Sequence, residues 1–199
     1  MIENLSAEPN QFELKSMMFS YCEMQEADIP EVSGMVMRLF HNYIADDFPA
    51  RSRTGIRQYL SAQALYARHN FHHFALVCRL NSSASIWPQT KSYTDSSGTG
   101  VLWHASVSDS PPIVGVIEVR EHRHISLLFV DDAHQRRGIG RALVANAVAR
   151  CRRKRPGLTE ITVRAAPGAV PVYARLGFHP DRARDEDDSP ALAMRLGLS

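Results

Sequence analysis

Three arginines and two glycines fall within seven residues, Gln135-Arg136-Arg137-Gly138-Ile139-Gly140-Arg141. An apolar run precedes them and a helical pattern follows, so the glycines sit where a strand turns into a helix. Glycine lets backbone approach a ligand closely, and the first-turn N–H groups of a helix point outward without partners. The helix dipole adds partial positive charge, and Arg136, Arg137 and Arg141 add full charges. The chemistry this suits is the holding of a phosphate or pyrophosphate. A bare G-x-G would serve equally as a tight turn with solvated arginines, and the dinucleotide fingerprint fails because Leu143 stands where its third glycine belongs.

Other reactive side chains point to less. His122 and His124, and His69, His72 and His73, lack nearby acidic or thiol ligands, so no metal is expected. The cysteines Cys22, Cys78 and Cys151 are odd in number and form no C-x-x-C, which argues against a disulfide framework or zinc knuckle. The basic run 150–155 has no interleaved aromatics. It reads as a solvated helix C-terminus and not as a nucleic-acid surface.

The elements that must position the glycine loop follow from periodicity. A strand is expected over 19–24. A helix is expected from Asp28, with Asp28 and Glu31 as a capping box and Ile29, Val32, Val36, Leu39, Phe40 and Tyr43 as its inner stripe. A second helix is expected from Thr54 to about Arg68, with Ile56, Leu60 and Ala64 inward. Strands are expected over 74–78, 113–119 and 124–130, the last buried on both faces at its apolar end. After the loop come a helix over about 138–154, a strand over 161–163, a short helix over 170–176 closed by Gly177 and Phe178, and a last strand over 191–196. This order predicts an α+β domain with a mixed sheet flanked by helices.

The 199 residues, 44% hydrophobic and 22% charged, suit one domain over 1–199 with a real core. Residues 1–17 show no period and read as a ragged end; 81–112, rich in Ser, Thr, Gly and Pro, reads as a long loop or hairpin insertion. The net charge of +2 gives no global field toward nucleic acid or membrane. No apolar run approaches a membrane span, and the first ten residues lack a secretory pattern, so a cytoplasmic location is expected.

Residues 128–143, Leu128-Phe129-Val130 through the glycine loop to Leu143, closely resemble the GNAT acetyltransferase motif with its Q/R-x-x-G-x-G/A core. Residues 163–178 resemble the next strand of that family and its Y-x-x-L-G-F helix, here Tyr173-Ala174-Arg175-Leu176-Gly177-Phe178. The resemblance covers about 126–178 and implies a GNAT-like, mostly antiparallel central sheet. It also implies acetyl-CoA as co-substrate and an N-acetyltransferase acting on a primary amine by direct attack in a ternary complex. Leu128, Phe129 and Val130 would pair with the pantetheine amides, and residues Arg136, Arg137, Gly138, Ile139, Gly140 and Arg141 would hold the pyrophosphate. The family often has Asn or Ser seven residues before the tyrosine; Ala166 stands there, so that contact is missing or comes from another group.

An alkyl amine with a pKa near ~10 must lose a proton before it attacks a thioester, and the leaving thiolate must gain one. By its motif position Tyr173 is the candidate acid. His124, eleven residues before Gln135, stands where histone and serotonin acetyltransferases carry a proton acceptor, and is the candidate base. Glu118 and Glu121 are alternative bases that read as surface charges. A backbone N–H near Phe129 or Val130 would meet the oxyanion. The acceptor is not legible, although the acidic run 185–188 would suit a cation. A CoA-binding sensor without turnover is the rival reading, and a homodimer is left open.

Overall fold

The computed structural model describes residues 18–69, 71, 73–81, 110–184 and 189–198. The 1–17 end, most of the 81–112 insertion, His72 and the acidic run 185–188 lie outside them. The chain divides into two compact units. The smaller comprises Met1–Ser20 and Arg79–Pro112. Its described backbone is tied by Asn81 N donating to Met18 O (2.9 Å) and Leu80 N to Pro112 O (3.0 Å). The larger, Tyr21–Cys78 and Ile113–Ser199, carries the elements discussed below.

The strands are β1 (Phe19–Glu23), β2 (His73–Leu80), β3 (Ile113–Arg120), β4 (His124–Val130), β5 (Glu160–Ala165), β6 (His179–Pro180) and β7 (Leu192–Gly197). Among the described residues they form one seven-stranded sheet in the order β1-β2-β3-β4-β5-β7-β6. The β3/β4, β5/β7 and β6/β7 pairs are antiparallel and β4/β5 is parallel. This is the expected α+β arrangement of a mostly antiparallel sheet with flanking helices.

On one face lie α1 (Ile29–Tyr43), α2 (Ala50–Leu60) and α3 (Ala62–His69). Their apolar side chains meet Val116, Leu127 and Ala75 in one core. Three details depart from expectation. The capping box forms one step earlier, with Gln25 N donating to Asp28 Oδ2 (2.9 Å). Glu31 is thereby freed, and its Oε1 accepts from Ile113 N (2.8 Å), fixing the start of β3. The helix expected from Thr54 is two helices, because Ser61 is extended and its Oγ accepts from Ala64 N, capping α3. Tyr43 is 59% exposed and points to Asp132, outside the stripe.

The other face holds α4 (Ile139–Lys154), which buries Ile139, Leu143, Val144, Ala147 and Cys151. Its approach depends on Gly115 of β3. A Cβ there would lie 3.0 Å from Ile139 Cγ2 and 3.2 Å from Leu143 Cδ1. The basic end of α4 is only partly solvated: Arg150 pairs with Glu23 (2.6 Å) and lies 4.7 Å over the Phe74 ring. The short α5 (Val170–Arg175) follows β5 and ends as expected. Gly177 takes φ 93°, and Phe178 N donates back to Tyr173 O at 3.0 Å.

Because Gly115 sets how closely the first turn of α4 meets the sheet, Gly115→Val should overpack it. A loss of about 1–3 kcal/mol is expected in urea unfolding. An unchanged midpoint would mean that α4 does not seat on β3 at this point.

Candidate active site

Parallel pairing of β4 with β5 covers only His124↔Thr162 and Ile125↔Val163. Beyond Ile125 the strands part. On its other edge β4 stays paired with β3 up to Gly115↔Val130, but with a register shift: Glu118 opposes Leu127 and Val119 opposes Ile125. Ser126 is therefore an unopposed bulge residue. A bulge reverses which edge successive N–H groups face. Thr162 N donates to Arg123 O, which places the amides of odd-numbered residues before the bulge on the β5 edge. After it, Asp131 N donates to Val114 O, so odd residues face β3. Leu128 and Val130 then direct their N–H and C=O groups into the open gap, while the backbone of Phe129 belongs to the β3 ladder. The apolar end of β4 was expected to be buried on both faces. Leu128, Phe129 and Val130 are only half-buried, because β5 has already moved away.

The glycine loop closes the mouth of this gap. Gln135 Nε2 donates to Val130 O (3.2 Å), and a Cβ at Gly140 would lie 3.8 Å from Val130 Cγ2. Arg136 (φ 63°) and Gly138 (φ 86°) are left-handed, which turns the loop sharply before Ile139. Gly138 has nothing within 4 Å of a Cβ, so the space above it is open. Ala142 N donates to Gly138 O, and the N–H groups of Ile139, Gly140 and Arg141 precede the helical ladder. The Ile139 side chain is 1% exposed and belongs to the core. Arg136, Arg137 and Arg141 are exposed. These features place helix first-turn N–H groups and exposed arginines beside a backbone edge with unused donors, groups of the kind that suit an anion.

Tyr173, on α5 beyond the end of β5, is 7% exposed and packs edge-on against Phe178, with ring centroids 5.4 Å apart. Burial raises its pKa above the usual phenol value, so it stays protonated throughout the neutral range. The loop is braced from the α1 side, where Arg38 pairs with Asp131 and Asp132 and Tyr43 Oη donates to Asp132 Oδ2 (2.9 Å); the β5–α5 connection is braced separately, Asp47 Oδ2 accepting from Gly168 N (2.9 Å). None of these braces has a local sequence signature, since each joins residues about ninety or more positions apart.

The model for the acetyltransferase (GNAT) domain family matches residues 91–198, more than half of the chain. The chain belongs to the GNAT acetyltransferase family. It is an acyltransferase with acetyl-CoA as co-substrate. Solved GNAT structures share the fold. A GCN5-related N-acetyltransferase from Rhodopseudomonas palustris aligns over 91% of this chain and 96% of its own at TM-score 0.64 and 14% identity. The PaiA N-acetyltransferase from Thermoplasma acidophilum, solved with coenzyme A, aligns over 92% and 100% at 0.63 and 15%. A GNAT acetyltransferase from Staphylococcus aureus aligns over 91% and 99% at 0.60 and 13%. Among the described residues no helix is long and apolar enough to cross a membrane, and no three His, Cys, Asp or Glu side chains group to hold a metal.

His124 lies apart from the GNAT loop, at the opposite end of β4. Four residues at ~3.3 Å each put it about 13 Å along the strand from Leu128. Its Nδ1 is 2.9 Å from Thr162 Oγ1. Burial, then the charges of Arg120, Arg123 and Arg164, push its pKa down to about 4. Glu118 is not a surface charge: it is 2% exposed, accepts from Arg68 Nε (2.7 Å) and sits 3.2 Å from His73 Nδ1. Glu121 is exposed and paired with Arg123.

The depressed His124 value has a stability consequence. The unfolded chain binds a proton near pH ~6.5, whereas the native histidine refuses it until about 4. Stability from this group is therefore present above pH ~6.5 and lost as pH falls toward 4. His73 and His122 are shifted the same way and add to the trend. His124→Gln should make the fall in Tm between pH 6.5 and 4 shallower. An equally steep fall in the variant would show that His124 titrates normally.

Proposed function

We propose that this chain moves an acetyl group from acetyl-CoA to a primary amine by direct attack in a ternary complex, within a single acetyltransferase domain over 1–199 that carries 81–112 as an insertion. The observation that carries this reading is the open edge of β4. Two backbone units, Leu128 and Val130, face a gap whose mouth is a helix N-terminus in a glycine loop. A pantetheine arm has amides to pair with such an edge, and a pyrophosphate at its end suits the N–H groups of Ile139, Gly140 and Arg141 with Arg136 and Arg137. Bulge parity supports a reading in which Leu128 and Val130 make the amide pairing and Phe129, packed toward the α1 side, does not. Leu128 N–H is the donor we assign to the thioester oxygen as it becomes an oxyanion.

In the reaction the amine nitrogen forms a bond to the acetyl carbon and the C–S bond breaks. The nitrogen gives up a proton to water, and the sulfur leaves as thiolate and takes a proton from solvent. Tyr173 supplies a hydrogen bond to that sulfur. A phenol whose pKa is raised is a weaker acid than a thiol near ~8.5, so full proton transfer from it is uphill. Stabilisation of the developing thiolate by a charge-assisted hydrogen bond is its role. For His124, Nδ1–H donation to Thr162 Oγ1 leaves Nε2 as an acceptor. With a pKa near 4 it is always neutral at working pH but weakly basic. The distance to Leu128 makes it a relay through water, not a direct base, and the amine that attacks is the small neutral fraction present in solution.

CoA should raise Tm by mass action, and Gly138→Asp should abolish that shift by placing bulk and negative charge on the phosphate path. Tyr173→Phe should keep the shift and lower kcat by about 10- to 100-fold, the worth of one hydrogen bond to a charged group. A full CoA shift in Gly138→Asp, or an unchanged kcat in Tyr173→Phe, contradicts the respective assignment.

A further inference from the structure

A cavity of about 730 Å³ opens where β4 and β5 begin, walled by Arg120, Arg123, Arg155, Arg184, His124 and Thr162. One carboxylate, Glu160, lies among the arginines. It is already engaged: its Oε1 accepts from Arg184 Nη2 at 2.6 Å, and Arg195 Nη1 lies 3.8 Å from its Oε2. Arg123 is paired with Glu121 at 2.9 Å, and Arg155 Nη1 donates to the Glu121 carbonyl at 3.1 Å. Arg120 stands opposite His124 across the β3–β4 ladder; its carbonyl accepts from Arg123 N at 3.1 Å, and its guanidinium makes no ion pair or hydrogen bond among the described residues. The hairpin turn that joins these strands has Glu121 and His122 both left-handed (φ 52° and 54°), which brings Arg120 and Arg123 to the same end.

Such a wall repels a polyamine and attracts an anion. Guanidinium groups bind carboxylates and phosphates through paired N–H donors. The low proton affinity of His124 comes first from burial, and the charges of Arg120 and Arg123 add to it. The acidic run 185–188 suggested a cationic acceptor; the described cavity has the opposite sign.

We propose that the acceptor carries an anionic group, a carboxylate or a phosphate, held by Arg120 and Arg123 in this cavity while its amine extends along the sheet face, past the paired His124 and Thr162, to the β4–β5 gap and the thioester. This rests on acetyl transfer at that gap. Because the thioester donor Leu128 is about 13 Å up the strand from His124, at ~3.3 Å per residue, the anion and the reacting amine must be several bonds apart. An amine at the far end of an alkyl chain from its carboxylate meets that need. An α-amine beside its own carboxylate does not.

Two matched pairs test this: 6-aminohexanoate against hexylamine, and lysine against cadaverine. In the wild type the carboxylate member should show a kcat/KM about 10- to 100-fold higher, carried by KM. Arg120→Ala should remove most of that preference and Arg120→Glu should reverse it, with the CoA-induced Tm shift intact in both. Equal use of both members by the wild type, or a preference undiminished in both variants, overturns the proposal. Binding of the product pair, 6-acetamidohexanoate and N-hexylacetamide, measured by NMR on the CoA-loaded protein, reads the same preference without turnover. Failure of the acetyl-transfer reading appears differently, as no thiol release from acetyl-CoA with any amine while the carboxylate product still binds better.

Discussion

The working parts of this protein depend on the parting of β4 and β5 after two paired residues. Parallel strands that stay together satisfy one another's amides and leave nothing for a ligand. Here the ladder ends at Ile125↔Val163, and one extra residue, Ser126, reverses the parity of β4 on its other edge. The bulge keeps the β3 ladder supplied by Leu127, Phe129 and Asp131. It turns Leu128 and Val130 toward the gap, where half-exposed backbone can take water or a ligand without the cost of a buried, unpaired amide. Everything around the gap serves its shape. Gly115 lets α4 seat closely on β3, the left-handed Arg136 and Gly138 bring the first turn of α4 to the gap's mouth, and Arg38 and Tyr43 hold the aspartates that lead into the loop.

Charge divides the two ends of β4. At the upper end the arginines of the glycine loop and the α4 N-terminus suit pyrophosphate. At the lower end the arginines of the β3–β4 hairpin and of the α4–β5 connection surround His124. Asp131 and Asp132 lie on the α1 side of the loop and are tied to Arg38. The acceptor we propose would meet positive charge at its remote end and His124 on the way to the thioester.

Much of this was legible in the sequence, and the reason differs by residue. The glycine loop and α4 were readable because their signal is local: glycines at fixed spacing, then apolar residues at helical spacing. The Tyr173-to-Phe178 segment was readable for the same reason, through its glycine cap. The bulge at Ser126 was not, because His124-Ile125-Ser126-Leu127-Leu128-Phe129-Val130 has no strict alternation for an extra residue to interrupt. Phe129 was accordingly grouped with Leu128 and Val130. The break at Ser61 was missed because a single serine cap competes with a continuous helical pattern on both sides. Glu118 was taken for a surface charge because its partners, Arg68 and His73, lie 50 and 45 residues away. The low pKa of His124 arises first from burial, which no local pattern reveals, and then from the nearby Arg120 and Arg123 and from Arg164 on another strand.

Amide hydrogen exchange by NMR, without and with CoA, tests the open edge of β4 most directly. In the free protein the amides of Phe129 and Asp131 should exchange slowly, as members of the β3 ladder. Those of Leu128 and Val130 should exchange fast and become protected when CoA binds. Protection of Leu128 and Val130 in the free protein, or no change in either on saturation with CoA, would contradict the parity of the bulge and the cofactor site built on it.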